Sequence, residues 1–256
     1  MTLHNQINAL DLAFVVDTTG SMGHLIQTAQ RQMIRTLEEV SRDRDVSLRI
    51  GLVEYRDHPP QDKLLTRVYP FQSELDKAQK VINGLKVDGG GDAPEAVLDG
   101  VLDACRKLDW RPHARRLAVL IGDAPPHGCG MRGDGFAKGC PCGETIESVT
   151  AALEETRVTL YALGLQRGLE VSFSQLSTAT GGEYFSASAG NANNGAIKRI
   201  KSILQSEFGD LAFDRQVLNE WLQSTLTLDD LATRLESSRP TVAASLSRLG
   251  ARGLLN

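Results

Sequence analysis

The stretch that most limits what this chain can become is Leu10-Asp11-Leu12-Ala13-Phe14-Val15-Val16, followed at once by Asp17-Thr18-Thr19-Gly20-Ser21-Met22. A short apolar run ended by a polar turn reads as a strand covered on both faces, the kind found in parallel sheets flanked by helices. Asp17 then stands at the strand's C-terminal end, the edge of an open α/β sheet where ligands collect. Thr19 and Ser21 add two hydroxyls to the same turn, so one loop offers three hard oxygens to a cation. Helix capping explains the same residues, because Asp and Ser are favoured at helix starts and Gly20 relaxes the turn. The loop by itself leaves both readings open.

Two later loops add oxygens. An apolar-faced helix leads into Asp88-Gly89-Gly90-Gly91-Asp92-Ala93-Pro94-Glu95, and the run Leu117-Ala118-Val119-Leu120-Ile121 leads into Gly122-Asp123. In this the sequence resembles the von Willebrand factor A family, whose metal-ion-dependent adhesion site combines an Asp-x-Ser/Thr-x-Ser loop, a residue of a second loop and a later Asp. Asp17, Thr19, Ser21 and Asp123 match that pattern residue by residue. The second loop carries Asp92 where many members have Thr, with Glu95 close behind, and resembles the family's Gly-Gly-Gly-Asp-x-Pro-Glu form. Three such loops in order make a specific signal, and the resemblance covers roughly residues 8 to 208. It implies a divalent cation, Mg²⁺ or else Mn²⁺ or Ca²⁺, held by Asp17, Thr19, Ser21, Asp92 and Asp123. A partner protein's Asp or Glu carboxylate would complete the coordination, because hydroxyls and water leave a cation short of negative charge.

In chain order, strands alternate with amphipathic helices. Ile26, Ala29, Met33, Leu37 and Val40 mark the buried stripe of one helix. Val46 to Tyr55 and Leu64 to Phe71 read as strands joined through His58-Pro59-Pro60, a hairpin whose second strand is, in the family, the antiparallel edge. Helices follow at Glu74 to Leu85, Pro94 to Leu108, Glu144 to Glu155 and Val171 to Thr178, with strands at Val158 to Leu163 and Tyr184 to Ser186. A last helix turns Ile197, Ile200, Leu204 and Phe208 inward. The expected fold is α/β: a doubly wound, mostly parallel six-stranded sheet with one antiparallel edge strand.

After Asp123 the chain runs from 124 to 143 with too much Gly and Pro for regular structure. His127, Cys129, Cys140 and Cys142 offer one nitrogen and three sulfurs, the count and softness of a closed Zn²⁺ site. Cys140-Pro141-Cys142 has one residue between its sulfurs instead of the usual two, so a loop with free thiols stays open beside zinc, and a disulfide too. Gly128 to Gly133 fits G-x-G-x-x-G but no helix opens behind it, and Arg132-Gly133-Asp134 reads as chance.

The expected domains are 1–208, metal-binding, and 209–256, all-α. In the second, Thr227 caps a helix from Leu228 to Leu235, and Pro240 opens another after the turn Glu236-Ser237-Ser238. This resembles a helix-turn-helix of the winged type. With Val242, Leu246 and Leu249 inward, Thr241, Ser245 and Arg248 would face DNA bases while Arg239 and Arg252 reach phosphates. From 211 on, five arginines are matched by five acids, so docking onto protein stays open beside DNA.

A net charge of −4 over 256 residues gives no general pull toward nucleic acid or anionic lipid. No stretch has the apolar length of a membrane span and the start lacks a signal-peptide pattern, so a cytoplasmic protein is expected. No nucleophile with an adjacent base is legible. The expectation is therefore a non-enzymatic, metal-dependent protein-binding module with a regulatory or scaffold role. The alternatives are a DNA-binding transcription regulator controlled through the metal domain, and a metal-dependent hydrolase using His58 or His127 as base.

Overall fold

The computed structural model describes residues 6–24, 26, 27, 30, 36–39, 45–91, 93–186, 192–223 and 226–255. Its centre is a six-stranded sheet in the order β3-β2-β1-β4-β5-β6. The strands are β1 (Ala9–Asp17), β2 (Ser47–Tyr55), β3 (Thr66–Gln72), β4 (Arg115–Gly122), β5 (Thr159–Gly164) and β6 (Tyr184–Ser186). β3 lies antiparallel to β2 at one edge, and every other pairing is parallel. The expected α/β architecture is therefore present, antiparallel edge strand included.

Every residue of β1 is buried, and the pleat explains why. Leu10, Leu12, Phe14 and Val16 point into one apolar core, closed by Met22, Ile26, Leu37, Ile82, Ile200, Leu204 and Phe208. Ala13 and Val15 point into another, closed by Val97, Val101, Val149, Leu153 and Phe173. Asp11 interrupts the apolar pattern near the strand's start, where Arg49 and Arg111 both hydrogen-bond its carboxylate. The sheet thus separates two cores, as a doubly wound sheet must.

Helices α1 (Leu75–Gly84), α2 (Val97–Lys107), α3 (Ile146–Glu155) and α4 (Glu170–Thr178) fall within a few residues of the expected spans. Thr145 caps α3 through a reciprocal box with Ser148. After the Asp17 loop, residues 23, 24, 26, 27, 30 and 36–39 are helical; Ala29, Met33 and Val40 of the expected stripe lie outside the described residues. Cys105 is buried in α2, where burial pushes its thiol up to about 11, as suits a small core residue.

The division at 208/209 falls inside one helix. α5 (Ala192–Gln223) runs unbroken through Gly209-Asp210 because its apolar side continues: Phe208 and Leu211 close the sheet's core, and Val217 and Leu218 join a further cluster with Ile7, Leu249 and Leu254. α6 (Leu228–Arg234) and α7 (Arg239–Ala251) follow, with Thr227 and Ser238 as caps. Among the described residues no helix is long and apolar enough to cross a membrane.

Candidate metal centre at the C-terminal edge of the sheet

β1 and β4 are neighbours, while the chain leaves β1 for β2 on the other side. The ends of β1 and β4 therefore open a crevice at the sheet's switch point. Asp17 closes β1 there, and Asp123 follows β4 directly. A single 3₁₀ turn at Gly20–Met22 brings Ser21 back over the strand end. Thr19 donates to Asp17 Oδ1 from its backbone N (2.8 Å) and its hydroxyl (2.6 Å). Its Oγ1 lies 3.3 Å from Ser21 Oγ, and Ser21 Oγ donates to Asp123 Oδ1 at 3.1 Å. Asp17, Thr19, Ser21 and Asp123 thus form one continuous set of oxygens.

Among the described residues, no ion pair reaches either of the set's two carboxylates. Asp17 is fully buried, and its Oδ2 meets no hydrogen-bond donor. Burial pushes its carboxyl up to about 7; the Thr19 hydrogen bonds pull down, and Asp123 adds to the rise. Gln166 Nε2 donates to the outer Asp123 oxygen at 3.2 Å.

The second loop lies across the Asp17 loop, with Asp88 N donating to Thr18 O (3.1 Å) and Gly20 N to Gly89 O (3.2 Å). Gly89 has φ +69, and a Cβ there would sit 1.6 Å from Asp62 Oδ2, so only glycine fits. Asp92, the expected fifth ligand, lies outside the described residues. Glu95 is buried, and its Oε1 and the Thr19 Cβ both flank Gly90, each 3.2 Å from where a Cβ there would be. Tyr55 sits beneath, its phenol held well above the usual range by burial and then by Asp17, Glu95 and Asp123. The second-loop carboxylate that the structure describes beside the Asp17 loop is therefore Glu95.

The loop 124–143 folds back on itself, so tightly that a Cβ on Gly128 would lie 2.6 Å from Gly139 Cα. The four zinc candidates do not meet. His127 is held between Asp57 (Nε2···Oδ1 2.7 Å) and Asp134 (Nδ1···Oδ1 2.9 Å), and Cys129 is exposed. Burial pulls the His127 pKa down, but the hydrogen bonds to Asp57 and Asp134 outweigh it and raise it. Asp134 also accepts from Gly128 N and Phe136 N, so its carboxylate is turned into the loop and away from display.

Cys140 and Cys142 instead face His58, from the loop after β2, and Asp99, from the first turn of α2. His58 Nε2 lies 3.0 Å from Asp99 Oδ2 and 3.4 Å from Cys140 Sγ; Cys140 Sγ lies 3.2 Å from Asp99 Oδ2, and Cys142 Sγ 3.9 Å from His58 Nδ1. Burial and then Asp99 push the Cys140 thiol up to about 12. The correction has a simple cause: His127 is close to the cysteines in sequence, but its two nitrogens are already taken by carboxylates. His58 and Asp99 come from other elements, and sequence spacing gives no hint of them.

The residues expected to read DNA are also relocated. Ser245 is buried and donates to Asp214 Oδ1 at 2.7 Å. Arg248 grips the same carboxylate with Nε (3.1 Å to each oxygen) and Nη2 (2.6 Å). Arg252 is buried and donates to the carbonyls of Gln6, Ile7 and His113. These three side chains fasten α7 to α5 and to the start of β1, which removes them from any base-reading or phosphate-binding face. Arg239 and Thr241 remain at the surface, Arg239 paired with Asp229 at 3.1 Å.

Residues 11–113 match the von Willebrand factor A domain family. Over 157 residues the chain is 27% identical to the alpha-protein kinase vwkA of Dictyostelium discoideum, covering 59% of this chain and 24% of that protein. Over 129 residues it is 33% identical to an ariadne-like RING finger protein of Acanthamoeba polyphaga mimivirus, covering 50% of this chain and 12% of that protein. The chain thus spans a quarter or less of these relatives. Among solved structures, proximal thread matrix protein 1 of the mussel byssus aligns with a TM-score of 0.54 at 13% identity, over 78% of this chain and 46% of that one, a likeness of fold.

Proposed function

From the von Willebrand factor A domain in this chain, we propose a non-enzymatic binding module in which Asp17, Thr19, Ser21 and Asp123 hold one divalent cation, Mg²⁺ by preference. Asp92 and Glu95 supply further negative charge from the second loop. A carboxylate of a partner protein then completes the coordination. The observation that carries this reading is Asp17 Oδ2, buried and without a donor, beside hydroxyls and a second carboxylate. Ligand oxygens around an octahedral Mg²⁺ stand about 2.9 Å apart at bond lengths of 2.0–2.1 Å. The oxygen separations of 2.6, 3.3 and 3.1 Å along the set bracket that spacing.

Of the two histidines a metal-dependent hydrolase would need as a base, His127 has both ring nitrogens on carboxylates and His58 is turned to Asp99 and the cysteine loop, which favours binding over turnover. The inward turn of Ser245, Arg248 and Arg252 favours a docking or scaffold role for the last three helices over promoter reading. The curated relatives carry names that speak of kinase and RING-finger proteins, and a partner-recruiting module beside other activities suits such settings. A cytoplasmic site of action goes with this reading.

Calorimetry on the full chain tests it. Mg²⁺ or Mn²⁺ should bind one to one, Asp17→Ala should abolish the heat with the fold retained, and Asp123→Ala should weaken it. Unchanged binding in Asp17→Ala removes the assignment. Capture of proteins with and without chelator then asks whether docking depends on the ion.

A further inference from the structure

Four donor side chains from three separate elements point at one another beside the loop 124–143: His58, Asp99, Cys140 and Cys142, with ligand atoms all within 4.8 Å. We propose that they bind a single zinc ion, which fastens the 124–143 loop to α2 and to the loop after β2, alongside the Asp17 crevice.

Three of the four donors are spaced as a tetrahedral ion needs, and Cys142 Sγ, 3.9 Å from the other His58 nitrogen, lies within the 4.8 Å envelope and would close in on the ion. Zinc bonds of 2.0–2.3 Å place ligand atoms about 3.3 to 3.8 Å apart. The observed separations of 3.0, 3.2 and 3.4 Å among His58, Asp99 and Cys140 are within a few tenths of an ångström of that. The one-residue spacing of the cysteines is no obstacle, because Cys140-Pro141-Cys142-Gly143 closes a turn through Gly143 N and Cys140 O (2.9 Å), and both sulfurs come to the side of His58. Gly143 has φ +79, which the turn's exit uses. Among the described residues, His58 is the one basic side chain within ion-pair distance of the buried Asp99 carboxylate.

Donor chemistry separates this centre from the Asp17 crevice. Two sulfurs and an imidazole suit zinc, whereas the all-oxygen set suits Mg²⁺. Four protein donors fill a tetrahedral ion, so the role is structural. The geometry also says what is fastened. The loop leaves Asp123 directly, His127 and Asp57 tie its near end, and Glu95 pairs with Pro126 two residues before α2 begins. The ion would therefore hold one wall of the surface where a partner approaches the crevice.

The full chain, purified under reducing conditions and with cobalt as a second probe, decides the matter by elemental analysis, absorption and thiol titration. The expected result is close to one zinc per chain, and on cobalt exchange a thiolate-to-metal band in the near ultraviolet with tetrahedral visible bands. Cys129 should react freely with a thiol reagent, and Cys140 and Cys142 only after chelation. Cys142→Ser, at an exposed position, should lose at least tenfold in zinc affinity, and His58→Gln should do the same. Cys129→Ser and Asp17→Ala should both keep the zinc, so failure of the Mg²⁺ site and failure of this one are told apart. Absence of zinc together with an absent cobalt spectrum overturns the proposal. So does equal loss in Cys129→Ser, or a Cys140–Cys142 disulfide in the reduced preparation.

Discussion

Arg248→Ala separates two roles for the last helix, because a DNA-reading residue and a buried clamp fail in different ways. Its guanidinium makes three hydrogen bonds to Asp214, whose carboxylate is 1% exposed. Truncation leaves that charge with the Ser245 hydroxyl at 2.7 Å and with Arg252 Nη1 at 3.9 Å. Breaking a buried pair from one side costs about 3–5 kcal/mol, since the abandoned charge stays desolvated. Arg248 is 20% exposed and Arg252 stays nearby, so the low end applies, ~3 kcal/mol. At about 2–4 °C per kcal/mol for a chain of this size, the midpoint should fall by roughly 6–12 °C. Thermal and urea denaturation read this directly. Arg239→Ala, exposed at its ion pair with Asp229, should stay within about 0.5 kcal/mol. Arg248→Met combined with Asp214→Leu should recover part of the loss, because the abandoned carboxylate is gone while buried Arg252 keeps only its carbonyl acceptors. A midpoint within ~2 °C of the parent, with DNA affinity lost in a mobility-shift titration, would refute the clamp and restore the reading helix.

Two further outcomes follow from buried carboxyl groups. Glu207 pairs with Arg115 at 2.7 Å; burial raises its pKa, but the Arg115 charge and hydrogen bonds outweigh this and hold it below the usual range. Its contribution is therefore present above the unfolded value near 4.5 and lost as pH falls through the lower folded value, so Glu207→Gln should flatten the acid limb of a stability–pH profile. Asp17, pushed up to about 7 without a cation, behaves in the opposite sense: in the metal-free protein, stability falls as pH rises from about 4 to about 7. Proton and Mg²⁺ compete for it, so Mg²⁺ affinity should drop about tenfold per pH unit below 7 and level off above; a flat profile in calorimetry would contradict this.

The sheet was legible because parallel strands are continuous apolar runs and each one here ends in a polar loop. Of the three candidate metal loops, those at Asp17 and Asp123 each sit directly behind such a run, so strand order brings them together, whereas the loop 88–95 follows a helix and stands out only by its glycines and carboxylates. Other features escaped for stated reasons. Gly209-Asp210 looks like a break, yet the buried side of α5 passes through Phe208, Leu211, Val217 and Leu218, and packing overrides the local preference. In α7, Val242 and Leu249 mark one buried face, and beside it buried Ser245, half-buried Arg248 and, just past the helix end, buried Arg252 are drawn in by polar contacts, which apolar periodicity does not register. His58 and Asp99 join Cys140 across separations of 82 and 41 residues, beyond the reach of any spacing rule.

Arg252 donates to Gln6 and Ile7, which brings the segment before β1 and the segment after α7 to one spot. That spot lies at the start of β1, while Asp17 lies at its end, eight residue steps or about 26 Å away. Residues 6, 7 and 252 therefore share one pole of the sheet, opposite the Asp17 crevice. A label or tether grafted at Gln6 and one grafted at Arg252 would pull on that same pole and leave the Asp17 crevice clear.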